Sequence, residues 1–212
     1  EDEALNFDPF PYEPSSIDFL LLTHAHIDHS GLIPRLVKKG FANPVYATPA
    51  TGDLVEIMLL DSAYIQESEA HWRTRKARRA GRKAVDPLYT EADARKAIGL
   101  VQSVAYNTPK QVAPGVEVVF RDAGHILGSA ALVLRLEEEG RRVELVFSGD
   151  LGQPDQPIIR DPEIIEHCDY LVMESTYGDR LHVLDGSPEE ELAAILEDAQ
   201  RSGGNVIIPA FA

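Results

Sequence analysis

Apolar residues along this chain come in short runs parted by turn residues, and their spacing shifts between strand and helix periods. Phe19-Leu20-Leu21-Leu22, inside residues 18–23, is a continuous apolar run and predicts a short buried strand. Residues 31–39 set Leu32 and Leu36 four apart with Ile33 and Val37 beside them, which predicts a helix stopping at Gly40. Residues 44–48 read as a strand. Residues 50 to about 80 read as one long helix with an apolar stripe at Leu54, Ile57, Met58 and Leu60. Thr90-Glu91-Ala92-Asp93 is a capped start for a helix running to about Val101. Strand signals then take over at 115–122, 130–137 and 141–148, the last two joined by the short turn Glu138-Glu139-Gly140. Residues 169–174 predict another buried strand. Ser187-Pro188 caps and opens a helix that ends at Gly203-Gly204, and 205–209 predict a final strand. Alternating β and α elements followed by an antiparallel meander imply an α/β protein, with sheets covered by helices.

Composition narrows the class without naming a function. The 212 residues are 44% hydrophobic with 15 Gly and 14 Pro, an ordinary globular balance. A single cysteine, Cys168, leaves no internal disulfide and no cysteine-based zinc site, which fits a reducing compartment. No apolar run reaches membrane-spanning length and Glu1-Asp2-Glu3 is unlike a signal peptide, so the expectation is a cytoplasmic protein without membrane contact. The formal charge of −15 argues against a generally basic nucleic-acid surface. The cations are unevenly placed, however: Arg73, Arg75, Lys76, Arg78, Arg79, Arg82 and Lys83 form one dense cluster at the end of the long helix. A solvated helical face is the plainer reading of that cluster, and a nucleic-acid contact the other.

The chemistry concentrates at Thr23-His24-Ala25-His26-Ile27-Asp28-His29-Ser30. On a strand, His24, His26 and Asp28 would share a face and His29 would oppose them; on a helix, only His24 and Asp28 would align. All four converge only if the backbone turns here, between a strand end and a helix start. A turn gathering imidazoles and a carboxylate suits borderline metals, zinc above all, against the bland alternative of solvated loop histidines. Two later segments repeat the logic. His125 sits between glycines in Asp122-Ala123-Gly124-His125-Ile126-Leu127-Gly128, just after a strand. Asp150 is delivered by a strand into the Gly149-Asp150-Leu151-Gly152 turn. A lone histidine is often structural and Gly-Asp often merely forms a turn. As ligands, His24, His26 and His125 would hold one zinc, Asp28 and His29 would begin a second site, and Asp150 would bridge the two. Two cations sharing a water lower its pKa and stabilise the charge that develops on attack, so the pattern points to metal-assisted hydrolysis. His71 and His167 lack such context and are read as structural, while His182 stays open.

His24-Ala25-His26-Ile27-Asp28-His29, Gly124-His125 and Ser148-Gly149-Asp150 resemble the ordered motifs of the metallo-β-lactamase superfamily. Leu171-Val172-Met173-Glu174-Ser175-Thr176-Tyr177-Gly178 is similar to the first β-CASP motif, and Ile207-Ile208-Pro209-Ala210-Phe211-Ala212 to the strand that enters a β-CASP cap. Pro87-Leu88-Tyr89-Thr90-Glu91 resembles the branch that holds the endonuclease subunit of the mRNA 3′-end cleavage factor and its bacterial and archaeal ribonuclease relatives. The resemblance implies an αββα sandwich over residues 1–178, lacking its first strands, with the start of a β-CASP domain at 179–212. It implies two zinc ions and hydrolysis of single-stranded RNA, endonucleolytic with 5′-exonuclease activity as a further option. DNA stays open as a substrate and a homodimer is compatible with the pattern. Asp28, Asp150 and Glu174 are the implied catalytic residues, Glu174 orienting the histidine that protonates the leaving oxygen. On the sequence alone, Glu174 could equally be a strand-end carboxylate in a buried hydrogen bond.

A glyoxalase II-like thioesterase or lactonase would use the same fold, but the Glu174 to Gly178 motif argues against it. A non-catalytic scaffold subunit is disfavoured because all six ligand positions are intact. The resemblance places the general-acid histidine and the last ligand of the second metal after Ala212. The 212-residue chain alone is therefore expected to cleave RNA weakly or not at all. Robust, chelator-sensitive RNA cleavage by it would contradict that expectation.

Overall fold

A computed structural model describes residues 5–181 and 187–209. His182 and the last residues of the run 207–212 lie outside them. The chain divides into two compact units, Glu1–Glu174 and Ser175–Ala212.

In the first unit, β1 (Leu20–Leu21), β2 (Val45–Ala47) and β3 (Val101–Ser103) form a parallel sheet in the order β1-β2-β3. Among the described residues it is accompanied by the α-helices α1 (Ile27–Ser30), α2 (Ile33–Lys38), α3 (Pro49–Arg79) and α4 (Glu91–Ile98). A second sheet holds β4 (Lys110–Ala113), β5 (Val116–Asp122), β6 (Ala130–Glu138), β7 (Arg141–Phe147) and β8 (Tyr170–Val172) in chain order. It is antiparallel except for the β7–β8 pair, which is parallel. The β6–β7 turn puts Glu139 at φ 50° and Gly140 at φ 78°, the left-handed pair that two-residue hairpins favour.

Strand alternation sorts the side chains into layers. Val45 and Ala47 face a helical core with Leu36, Val55, Leu59, Tyr89 and Ala97, while Tyr46 between them points the other way. That other side is the seam between sheets, filled by Tyr46, Val118, Phe120, Ala130 and Leu132. Val119, Val133 and Val146 alternate to the far face of the second sheet, with Ile165 against them. Helices, sheet and sheet thus stack in order, giving the mixed α/β class expected.

Several elements differ from expectation. On α3 the buried residues are Thr51, Val55, Leu59, Ala63 and Ala70, while Ile57 is 66% exposed. The facing stripe contains small residues that hydropathy weights lightly; Leu54, Met58 and Leu60 only flank it. The Thr90–Asp93 capping box forms, but α4 ends at Ile98 because Gly99 closes it and Val101 enters β3. Strands β3 and β4 were not expected, being short and largely polar. Strand β8 is exposed rather than buried: Tyr170, Leu171 and Val172 are each more than half exposed, as is Met173 just after it. A continuous apolar run reads the same whether or not its faces are covered. In the second unit, α5 (Pro188–Ser202) forms and ends at Gly203, whereas residues 205–209 carry no strand. Ser187 is its N-cap but makes no side-chain bond to the helix backbone. Among the described residues, no helix is long and apolar enough to cross a membrane.

The buried face of α3 makes a direct test. Leu59→Ala is expected to lower unfolding free energy by about 2–5 kcal/mol. Ile57→Ala should stay within about 0.5 kcal/mol, as an exposed change does. Chemical denaturation of both variants checks the assignment.

Candidate metal centre

The backbone turns where the ligand spacing demands. His24 follows the end of β1, His26 is the N-cap of α1, and Asp28 and His29 lie within that single helical turn. Ser30 Oγ donates to Ala25 O at 2.9 Å and to His26 O at 3.0 Å, which holds the turn closed. His125 leaves the end of β5 and Asp150 the end of β7. Strand ends of both sheets therefore deliver the site.

His24, His26, His125 and Asp150 each bring one ligand atom, all within 4.8 Å of one another. His24 Nε2 and His26 Nδ1 are 3.1 Å apart, and His125 Nε2 is 3.2 Å from the same His26 Nδ1. Asp150 Oδ2 lies 3.6 Å from both His24 Nε2 and His125 Nε2. Donors around a tetrahedral zinc at about 2.0–2.1 Å sit roughly 3.3–3.4 Å from each other, so the spacing and chemistry of this set fit such an ion. The other carboxylate oxygen, Asp150 Oδ1, turns to His29 Nε2 at 3.3 Å, and Asp28 Oδ2 lies 3.6 Å from that nitrogen. Asp28 and His29 thus stand beside the four-residue set rather than in it, joined to it through Asp150. Asp28 is largely open to solvent and His29 half-buried.

Electrostatics keep the imidazoles ready to bind a cation. His24 is fully buried, and its pKa is lowered to about 4, chiefly by that burial and next by His29, against the opposing pull of Asp150. The His125 pKa is also lowered, first by burial and then by His26. Both rings are neutral near pH 7, the form that ligates metals. Thr23 Oγ1 lies 3.0 Å from His24 Nδ1. The tautomer that donates Nδ1–H to Thr23 leaves the Nε2 lone pair facing the other ligands.

Glu174 stands at the end of the first unit. Its Oε1 accepts the Leu151 N–H at 2.7 Å, and its own N–H donates to Ser148 Oγ at 3.1 Å. The strand-end hydrogen bond foreseen as an alternative is therefore present, and it ties this carboxylate to the Asp150 loop.

Several positioning residues escape sequence reasoning because they act through backbone groups far away in the chain. Thr48 Oγ1 and Thr51 Oγ1, at the start of α3, donate to Gly128 O at 2.6 and 2.8 Å. Ser129 Oγ accepts from His125 N and Ile126 N, and Asp122 Oδ1 from Gly124 N. Gly152 has the tightest approach: its N–H donates to Ala123 O at 2.8 Å, and a Cβ there would lie 1.5 Å from Gly124 O. No side chain can occupy that space, so the Asp150 loop lies against the backbone of the His125 loop. The only signal for this in the sequence was the glycine bracket around Asp150.

Gly152→Ala is expected to separate the two loops and destabilise the protein by at least about 1–3 kcal/mol, the usual scale of overpacking. It should also reduce bound metal, measured by elemental analysis of folded protein. Normal metal content at wild-type stability would refute the close-packing role.

A sequence model of the metallo-beta-lactamase superfamily matches residues 10–210. The chain is 35% identical over 212 residues to ribonuclease TTHA0252 of Thermus thermophilus, covering 100% of this chain and 44% of that protein. It is 29% identical over 216 residues to transcription termination factor FttA of Methanocaldococcus jannaschii, covering 100% of this chain and 31% of that protein. It therefore spans less than half the length of these curated relatives. Among solved structures it is similar to BJP-1, a subclass B3 metallo-beta-lactamase of Bradyrhizobium japonicum, at 14% identity and a TM-score of 0.45, covering 90% of this chain and 76% of that one. With ordered His and Asp motifs gathered at the strand ends of two sheets, and a family match across nearly its whole length, the chain belongs to the metallo-beta-lactamase superfamily.

Proposed function

We propose that the chain is part of a zinc-dependent ribonuclease of the β-CASP group that hydrolyses phosphodiester bonds of single-stranded RNA, chiefly as an endonuclease. In this reading residues 1–178 belong to its metallo-β-lactamase domain and residues 179–212 begin the cap. The observation that carries it is the splayed carboxylate of Asp150, with one oxygen 3.6 Å from His24 and His125 and the other 3.3 Å from His29. That geometry suits two cations sharing one carboxylate. The ribonuclease name of the Thermus thermophilus relative supports RNA as the substrate class.

His24, His26, His125 and Asp150 would hold one zinc, and Asp28, His29 and the second Asp150 oxygen would contribute to another. When bound, the pair supplies Lewis acidity, which makes water a nucleophile near neutral pH and offsets charge building on the phosphoryl oxygens. The protein's own groups do the rest. Asp28, open to solvent, accepts a hydrogen bond from the attacking water and orients it. Glu174, fixed by the Leu151 N–H, positions the proton donor for the leaving oxygen and does not bind metal. Buried, neutral His24 keeps its lone pair aimed inward without a proton to displace.

The test is to express the longer parent protein, measure its zinc, and assay single-stranded RNA, single-stranded DNA and a thioester. Expected are chelator-sensitive RNA cleavage and about two zinc ions per chain. His26→Ala should lower turnover more than the roughly 10- to 100-fold typical of losing a group that only orients a ligand. Thioester turnover without RNA cleavage would overturn the proposal, as would zinc-free protein with no turnover.

A further inference from the structure

The C-terminal part of α3 carries a charge opposite to that of the chain as a whole. Between Glu69 and Asp86 there is no acidic residue, yet seven of the chain's 20 Lys and Arg fall there, in a chain of net charge −15. Arg75, Lys76, Arg78, Arg79, Arg82 and Lys83 are exposed. Among the described residues, none of these six lies in an ion pair. Arg73, by contrast, is half-buried and pairs with Glu69 one turn back. A helix meant only to stay solvated would interleave its charges with acids at i±4, as the earlier part of the same helix does with Arg73 and Glu69.

The face has an aromatic at its centre. Trp72, Arg75, Lys76 and Arg79 stand at i, i+3, i+4 and i+7, so all four project from one side of the helix. Trp72 is 57% exposed, with Lys76 Nζ 5.3 Å from its ring centroid. Leaving an indole in water forfeits burial of a large apolar surface, and here it is flanked by cations instead of packed. After α3 the chain folds back, where the Val85 N–H donates to Thr74 Oγ1 and that hydroxyl donates to Val85 O, holding the Arg82–Lys83 segment beside the helix end.

We propose that this face is a binding surface for single-stranded RNA, in which Arg75, Lys76 and Arg79 contact phosphates and Trp72 stacks on a base. An aromatic platform set among cations is the arrangement that grips single strands without reading their sequence. An acidic peptide would satisfy the charges and leave the indole without a flat partner. The inference rests on the RNA reading above and adds a second contact to it. At 1.5 Å per residue the face lies about 35 Å along α3 from Thr51, which pins the His125 loop. It therefore contributes to affinity and to where a strand lies, and touches no reacting atom.

Trp72 is the only tryptophan of the chain, so its fluorescence reports this face alone. Titration with oligouridylate in the presence of chelator, over a range of salt, should quench it. Replacing the three cations together (Arg75→Gln, Lys76→Gln, Arg79→Gln) should reduce the magnitude of the salt slope by about 2, at about 0.7 per phosphate contact. Arg75→Lys with Arg79→Lys should keep the slope and guards against a folding artefact, which far-UV circular dichroism also checks. Trp72→Ala, followed by anisotropy of labelled RNA, should weaken binding roughly five- to a hundredfold. Unchanged affinity and slope in the triple variant would overturn the proposal, as would polyglutamate quenching Trp72 as tightly as RNA does. Because chelator removes hydrolysis from the readout, the two readings fail separately. RNA binding by this chain when the longer parent protein never cleaves RNA refutes only the nuclease, and cleavage by a parent protein whose α3 variants bind normally refutes only this surface.

Discussion

Nitrogen and oxygen lone pairs repel when they face one another at hydrogen-bond distance without a proton or a cation between them. At this centre His24 Nε2 and His125 Nε2 both face His26 Nδ1, at 3.1 and 3.2 Å, with Asp150 Oδ2 closing the set at 3.6 Å. A proton on Nδ1 of neutral His26 relieves only one of its two contacts at a time, and burial works against a further proton by lowering the pKa of His24 to about 4. The arrangement is thus poised for a cation, and much of the surrounding structure serves to hold it so. The family match and the donor geometry agree on metal binding as the business of these strand ends.

Holding four donors at these separations requires that loops from two sheets be rigid relative to each other. The rigidity comes from groups with no chemistry of their own. Two threonines at the start of the long helix anchor a carbonyl beside the His125 loop, a serine hydroxyl caps the backbone of His125 itself, and Gly152 lets the Asp150 loop lie in contact with its neighbour. Each contact is an everyday hydrogen bond or packing contact worth of the order of 1 kcal/mol, and a misplaced ligand would cost more in function than that in stability.

The long helix links two regions of different character. At its start the buried Thr48 and Thr51 are bonded to the His125 loop, while its end is exposed, cationic and aromatic. A rigid rod of 31 residues can therefore organise the chemical centre at one end and present a charged face at the other. The net charge of the chain conceals this, because charges summed over a sequence say nothing about which of them share a surface.

Much of the site was legible in the residues themselves. His24 to His29 cannot converge on any regular element, and that alone demanded the turn that His26 and α1 make. The strands ending near His125 and Asp150 followed from apolar runs and hairpin chemistry, which are local properties. The buried face of α3, the exposure of β8 and the absence of a strand at 205–209 were not legible, because burial and pairing depend on what lies opposite rather than on the run itself. The same holds at the centre. The sequence determined which side chains could bind a metal, whereas only the tertiary structure decided that one oxygen of Asp150 faces His24 and His125 and the other His29. A ligand's identity is written in one residue, but its distance to another is set by every contact between the strands that carry them.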